Sequence, residues 1–107
     1  MKRGELYRVH RPKADPKTFR TYIVLSRSSV IDSRFPTMIC APIVSNGEGL
    51  STQVQVGIDD GMKHTSWILC DNLVSVEKSV LTYYVGSVSS SKLVEVNRAL
   101  KIALDIS

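Results

Sequence analysis

Through residue 88 the chain alternates short β-branched or aromatic runs with turn-forming clusters, and nowhere between them lies the helical stretch that a parallel crossover needs. Tyr22-Ile23-Val24-Leu25 is a continuous apolar run, the pattern of a strand buried on both faces, and it ends in the polar Ser26-Arg27-Ser28-Ser29. Thr37 to Val44 is a second such run, closed by Ser45-Asn46-Gly47-Glu48-Gly49, where two glycines permit a tight turn. Glu5 to Val9 reads as a short opening strand. Ser51 to Val56 alternates so that Val54 and Val56 share one buried face, and Asp59-Asp60-Gly61 then turns the chain. Trp67 to Cys70 reads as a buried strand, interrupted by Asp71-Asn72 before Leu73 to Val76 continues extended; an acidic residue between two buried runs is unusual. Tyr83 to Val88 is the last strand. Ser89 to Ser91 suit the cap of a terminal helix in which Leu93, Val96, Leu100 and Ala103 form one apolar stripe. About five to seven strands and one helix predict a mainly β fold, a small, strongly curved antiparallel barrel with the C-terminal helix closing one end.

The 107 residues have room for one hydrophobic core, so residues 1–107 are read as a single domain. Hydrophobic residues make up 43% and charged residues 22%, which places the chain with folded globular proteins rather than disordered ones. No apolar run approaches the roughly 20 residues that span a bilayer, and the N-terminus carries no signal-like stretch, so neither membrane insertion nor export is expected and a cytoplasmic location is. Cys40 and Cys70 each sit inside an apolar run, which predicts buried free thiols. Neither these cysteines nor His10 and His64 show metal-ligand spacing, so no metal or other cofactor is expected.

Charge is distributed unevenly. Residues 1–34 hold nine basic side chains against Glu5, Asp15 and Asp32, a net +6, which leaves −2 for the remainder of a chain whose total is +4. A positive field of this kind reaches about 8–10 Å through salt and can draw in a polyanion at contact distance, although a solvated cationic face is the plainer alternative. The most basic segment is His10-Arg11-Pro12-Lys13-Ala14-Asp15-Pro16-Lys17, whose two prolines argue for a loop standing away from any sheet. A lone loop histidine such as His10 is more often an exposed bystander than an acid or base.

No glycine-rich phosphate loop, G-x-S-x-G or H-E-x-x-H is present, which removes most motif-defined enzyme classes. What remains is Arg20 before one buried strand, Ser45 and Asn46 after another, and Asp71 after a third. On one rim of a small curved sheet, a guanidinium, a hydroxyl and a carboxylate beside a basic loop suit phosphodiester cleavage, where charge grows on phosphate oxygens. Trp67 is expected in the core rather than as a base-stacking platform, and Tyr83 and Tyr84 are expected to pack within the barrel.

The opening Met1-Lys2-Arg3-Gly4-Glu5-Leu6-Tyr7, the segment Phe19-Arg20-Thr21-Tyr22-Ile23-Val24-Leu25-Ser26, the run Pro36 to Ser45 and the run Ser66 to Asn72 together resemble, in order and spacing, the motifs of the MazF/PemK (Kid-like) toxins. The likeness extends over essentially the whole chain. It implies an SH3-like barrel of the MazF/Kid/CcdB type, a homodimer, metal-independent and sequence-selective cleavage of single-stranded RNA by attack of the 2′-hydroxyl, and restraint by a cognate antitoxin. By position, Arg20 matches the family's catalytic arginine, Asp71-Asn72 its acidic residue plus Gln, and Val44 its catalytic threonine; valine keeps the shape without the hydroxyl. Ser45 is then the nearest hydroxyl, on the opposite strand face if alternation is regular. Arg20, Ser45 and Asp71 are accordingly the expected catalytic set, and His10, Arg11, Lys13, Lys17 and Asn46 the expected RNA contacts. Two rival readings are a binding module for RNA or antitoxin that has lost turnover at Val44, and a gyrase inhibitor of the CcdB branch, although the terminus Leu104-Asp105-Ile106-Ser107 lacks that branch's Trp-Gly-Ile ending.

Overall fold

A computed structural model of the chain describes residues 1–9 and 21–107. Seven strands, β1 (Glu5–Val9), β2 (Thr21–Val24), β3 (Thr37–Val44), β4 (Gln53–Val56), β5 (Ser66–Leu69), β6 (Val74–Glu77) and β7 (Leu81–Ser87), form one sheet, with a one-turn helix α1 (Ser28–Ile31) after β2 and a C-terminal helix α2 (Ser90–Ala103). Every pairing is antiparallel. The order is β4-β5-β3-β2-β1-β7, with β6 also paired to β3, so β4 and β7 are outer strands and the expected barrel is an open sheet.

The apolar runs are explained by burial on both sides. Ile23 and Leu25 enter one cluster with Leu6, Ala41, Ile43, Val54, Val56 and Ile68, beneath Val96 and Ala99 of α2. Tyr22 and Val24, pointing the other way, join Val9, Met38, Cys40, Val76, Leu81 and Ile31 of α1. Period-two alternation thus supplies two cores from the same strands. Ser89 caps α2 by accepting a hydrogen bond from the Lys92 amide at 3.1 Å, and Arg3 ties the helix to the sheet through Asn97 at 2.8 Å. The polar cluster after β2 was expected to be only a strand end. It contains α1, whose last carbonyls are satisfied by the distant Lys78 ammonium, bonded to Val30 O at 2.7 Å and Ser33 O at 2.8 Å.

The acidic interruption at residues 71–72 has a structural reason. Along β3, Ile43 pairs with Ile68 and Cys40 with Val74, so three residue steps on β3 are matched by six on its neighbour. The surplus is taken up by a 3-10 turn over Cys70–Asn72 that lifts Asp71 out of the sheet into solvent.

Cys40 and Cys70 are buried and unpaired by disulfide. Burial pushes the Cys40 thiol from its ordinary 9.0 up to about 12, and burial followed by the Asp71 charge pushes Cys70 up to about 11. Both should resist alkylation in the native protein near neutral pH and react once the chain is unfolded, readable by mass spectrometry. The unfolded chain ionises these thiols near 9.0 while the native chain keeps them protonated; their contribution is therefore constant below that pH, and stability falls as pH rises through the window from 9.0 toward 11–12.

Candidate nucleic-acid interface

The rim where β3 ends is built by register. Thr21 pairs with Ile43, Ile43 with Ile68 and Val44 with Trp67, which brings the end of β3, the start of β2 and the start of β5 to one end of the sheet. Val44, half-buried, stands opposite Trp67, and Ser45 follows it just past the end of β3, where the chain bends and the residue is exposed. Ser45 and Ser66 line a groove of about 290 Å³ together with Arg8, Lys63, His64, Tyr83 and Tyr84. Among the described residues no carboxylate lines it. Ser66 Oγ donates to the His64 carbonyl at 3.2 Å, tying the 62–65 loop to the head of β5.

Two glycines make the groove possible. Gly61 has φ +97°, and a Cβ on it would run into the Val85 carbonyl; a Cβ on Gly86 would run into the Asp60 carbonyl. Lacking side chains, the two backbones lie against each other, and the loop carrying Lys63 and His64 is held beside the Tyr83–Val85 stretch of β7. Asp60, buried, fixes the turn before it by accepting from the Gly57 amide at 2.9 Å.

On the other wall, Arg8 and Tyr83 are direct cross-strand partners, with the guanidinium 5.1 Å from the ring centroid. Tyr84 meets Tyr7 edge to face at 5.7 Å. Burial, then the Glu5 carboxylate that accepts its hydrogen bond at 3.2 Å, hold the Tyr7 hydroxyl above its ordinary range and hence protonated.

The expected site residues divide as follows. Ser45 lines the groove and Asn46 is exposed directly after it. Asp71 is not brought to this rim: because β5 runs antiparallel to β3, the end of β5 points away from the end of β3, placing Asp71 beyond Leu69 and about 10 Å or more from the level of Ser66 and Ser45. There its carboxylate accepts a hydrogen bond from Thr52 Oγ1 at 2.6 Å. The expectation that three strand ends converge holds for two of them. His10, Arg11, Lys13, Lys17 and Arg20 lie outside the described residues; Thr21, which follows Arg20, pairs at the same end of the sheet as Ser45. Among the described residues no three His, Cys, Asp or Glu side chains gather as metal ligands.

Tyr83 and Tyr84 correct the packing expectation, being 59% and 53% exposed. They lie on β7, an outer strand of the sheet among the described residues. Two adjacent aromatics on one strand point to opposite faces, so the doublet itself signals that both cannot serve one core. Trp67 is only half-buried and belongs to neither core cluster; it is packed under Gly47, where any Cβ would collide with the indole. Arg8, Lys63 and His64 were not anticipated. A larger cleft of about 890 Å³ shares Lys63 and His64 but also carries Asp59 and Asp60, a mixed charge less suited to a polyanion.

A family model described as PemK-like, MazF-like toxin of type II toxin-antitoxin system matches residues 2–104. Among solved structures, the Mycobacterium tuberculosis toxin MazF-mt6 superposes with a TM-score of 0.82 at 24% identity, over 96% of this chain and 98% of that one. A mycobacterial endoribonuclease in complex with its cognate antitoxin gives 0.83 at 21% identity, over 98% and 95%. The MazE-MazF complex of Deinococcus radiodurans gives 0.73 at 22%, over 97% and 95%. No curated protein matches. Likenesses at these identities establish the fold. Among the described residues no helix is long and apolar enough to cross a membrane.

Proposed function

The chain belongs to the PemK-like, MazF-like toxins of type II toxin-antitoxin systems, and from that premise we propose that it is an endoribonuclease that cuts single-stranded RNA without a metal. The observation that carries the reading is the cationic groove at the end of β3, lined among the described residues by no carboxylate, with Ser45 inside it and Thr21, the residue after Arg20, two strand positions away. In this reading the ribose 2′-hydroxyl attacks the adjacent phosphorus, the bond to the 5′-oxygen breaks, and the products are a 2′,3′-cyclic phosphate and a free 5′-hydroxyl. Arg20 neutralises charge gathering on the equatorial oxygens. Ser45, just past the end of β3, donates to one of those oxygens. Arg8 and Lys63, with His10, Arg11, Lys13, Lys17 and Asn46, hold the strand chiefly by its phosphates. Asp71, bound to Thr52 away from this rim, has no part in the step.

The partners proposed are single-stranded RNA, a second copy of the chain and a cognate antitoxin whose acidic segment covers the cationic groove, in the cytoplasm. One observation favours a second reading. Val44, at the family's threonine position, is an apolar side chain set against Trp67, which suits a binding module with little turnover.

Incubating the pure protein with mixed-sequence RNA in EDTA separates the two: the enzyme yields fragments with 5′-hydroxyl ends, the binding module a retarded but intact RNA. A supercoiling assay with gyrase tests the remaining rival and is expected to show no inhibition. Val44→Thr, which puts a hydroxyl at the family's threonine position, is expected to raise the cleavage rate, and Ser45→Ala to lower it about 10²-fold. An unchanged rate in Ser45→Ala would take Ser45 out of the reaction.

A further inference from the structure

We infer that the Arg8–Tyr83 pair is a nucleobase subsite, in which one base of a single-stranded RNA stacks on the open face of the Tyr83 ring. The inference rests on the groove being the RNA site. The Tyr83 ring is 59% exposed, a large apolar surface with a polar tip. Tyr83 lies on β7, an outer strand among the described residues, with Arg8 directly opposite and its guanidinium 5.1 Å from the ring centroid. That contact covers one face, orders the ring before any ligand arrives and so lowers the entropy lost on binding. The exposed part of the ring remains for a base.

The surroundings choose the ligand. Arg8 and Lys63 offer positive charge around the ring and His64 a ring N–H, and among the described residues no acid in the groove opposes a phosphate. An aromatic platform flanked by cations is the arrangement that holds single-stranded nucleic acid, because every base has a π-face and every linkage a charge. Tyr83 lies three strands from Ser45 in the order β7-β1-β2-β3, up to about 14 Å at ~4.8 Å per strand, so the stacked base flanks the cleaved linkage rather than adjoining it. Its influence falls on affinity and on the sequence context in which cutting occurs.

The test uses a fluorescent 2′-O-methyl oligonucleotide of mixed sequence, whose attacking hydroxyls are blocked, beside the same backbone without bases. Wild type is expected to bind the base-bearing strand more tightly than the abasic one. Tyr83→Ala should weaken binding of the base-bearing strand about 5- to 100-fold and abolish that preference, whereas Tyr83→Phe should keep both. Unmodified RNA is assayed for cleavage in parallel. Wild type that prefers bases but cuts nothing removes the ribonuclease reading and leaves the subsite standing. An unaltered Kd in Tyr83→Ala, an equal loss on the abasic strand, or unaltered binding together with lost self-association on gel filtration would each overturn the proposal, the last by giving Tyr83 to a contact between copies.

Discussion

Arg20→Ala is expected to cut RNA at least about 100-fold more slowly than wild type in EDTA, because a fixed guanidinium facing the developing phosphorane is worth that much or more in transition-state stabilisation. Two features motivate the choice. Arg20 heads the segment Phe19 to Ser26 that matches the family motif, and Thr21 beside it pairs with Ile43 at the end of the sheet that carries Ser45. Lysine at this position keeps the charge but not the planar fork, so Arg20→Lys should fall between wild type and alanine. The measurement is the initial rate on a defined oligonucleotide, with circular dichroism to confirm folding. Equal cutting by wild type and Arg20→Ala would trace the activity to a contaminating nuclease and remove the proposed mechanism.

Gly61→Ala should lower the melting temperature by about 8 °C or more. Two costs add: a β-carbon at φ +97° is strained by about 1 kcal/mol, and the same carbon runs into the Val85 carbonyl, an overpacking that costs about 1–3 kcal/mol. At roughly 4–8 °C per kcal/mol for a domain of this size, even the lower total reaches the stated shift. Gly86→Ala creates the mirror collision with Asp60 and should behave similarly. The effect should reach the groove as well, since relieving either clash moves the Lys63–His64 loop away from Tyr83. Calorimetry reads the first effect and oligonucleotide affinity at a permissive temperature the second. A Gly61→Ala protein that melts with wild type would show that the turn has room to shift, and the proposed support for the groove would be lost.

The legible parts of the fold were those encoded by local period. Tyr22 to Leu25 announced a strand buried on both sides, and both clusters are found on it. Thr37 to Val44, the alternation at Val54 and Val56, and the stripe on the last helix read equally directly. The position of Ser45 just past β3 was legible because the residue precedes a glycine-rich turn. Asp71 was misplaced because its distance along the chain from a strand end says nothing about which end of the sheet that strand reaches; antiparallel pairing of β3 with β5 decides it. Tyr83 and Tyr84 were misread for a related reason: whether an aromatic strand residue is core or surface depends on what packs over its face, which local sequence does not say, and on β7 Leu81 is buried while the two tyrosines are exposed.

Local chemistry, repeated along the chain, determined that this protein would be a β-rich fold with one capped amphipathic helix, two buried thiols and a basic N-terminal third, because burial alternation and helix caps operate over a few residues. Strand order and register decided the rest: the open rather than closed sheet, the excursion that lifts Asp71 away, and the meeting of Arg8, Tyr83, Lys63 and Ser45 around one groove. Those residues are separated by dozens of positions, and only the long-range pairing of backbones, allowed at Gly61 and Gly86 by the absence of side chains, brings them within reach of a single ligand.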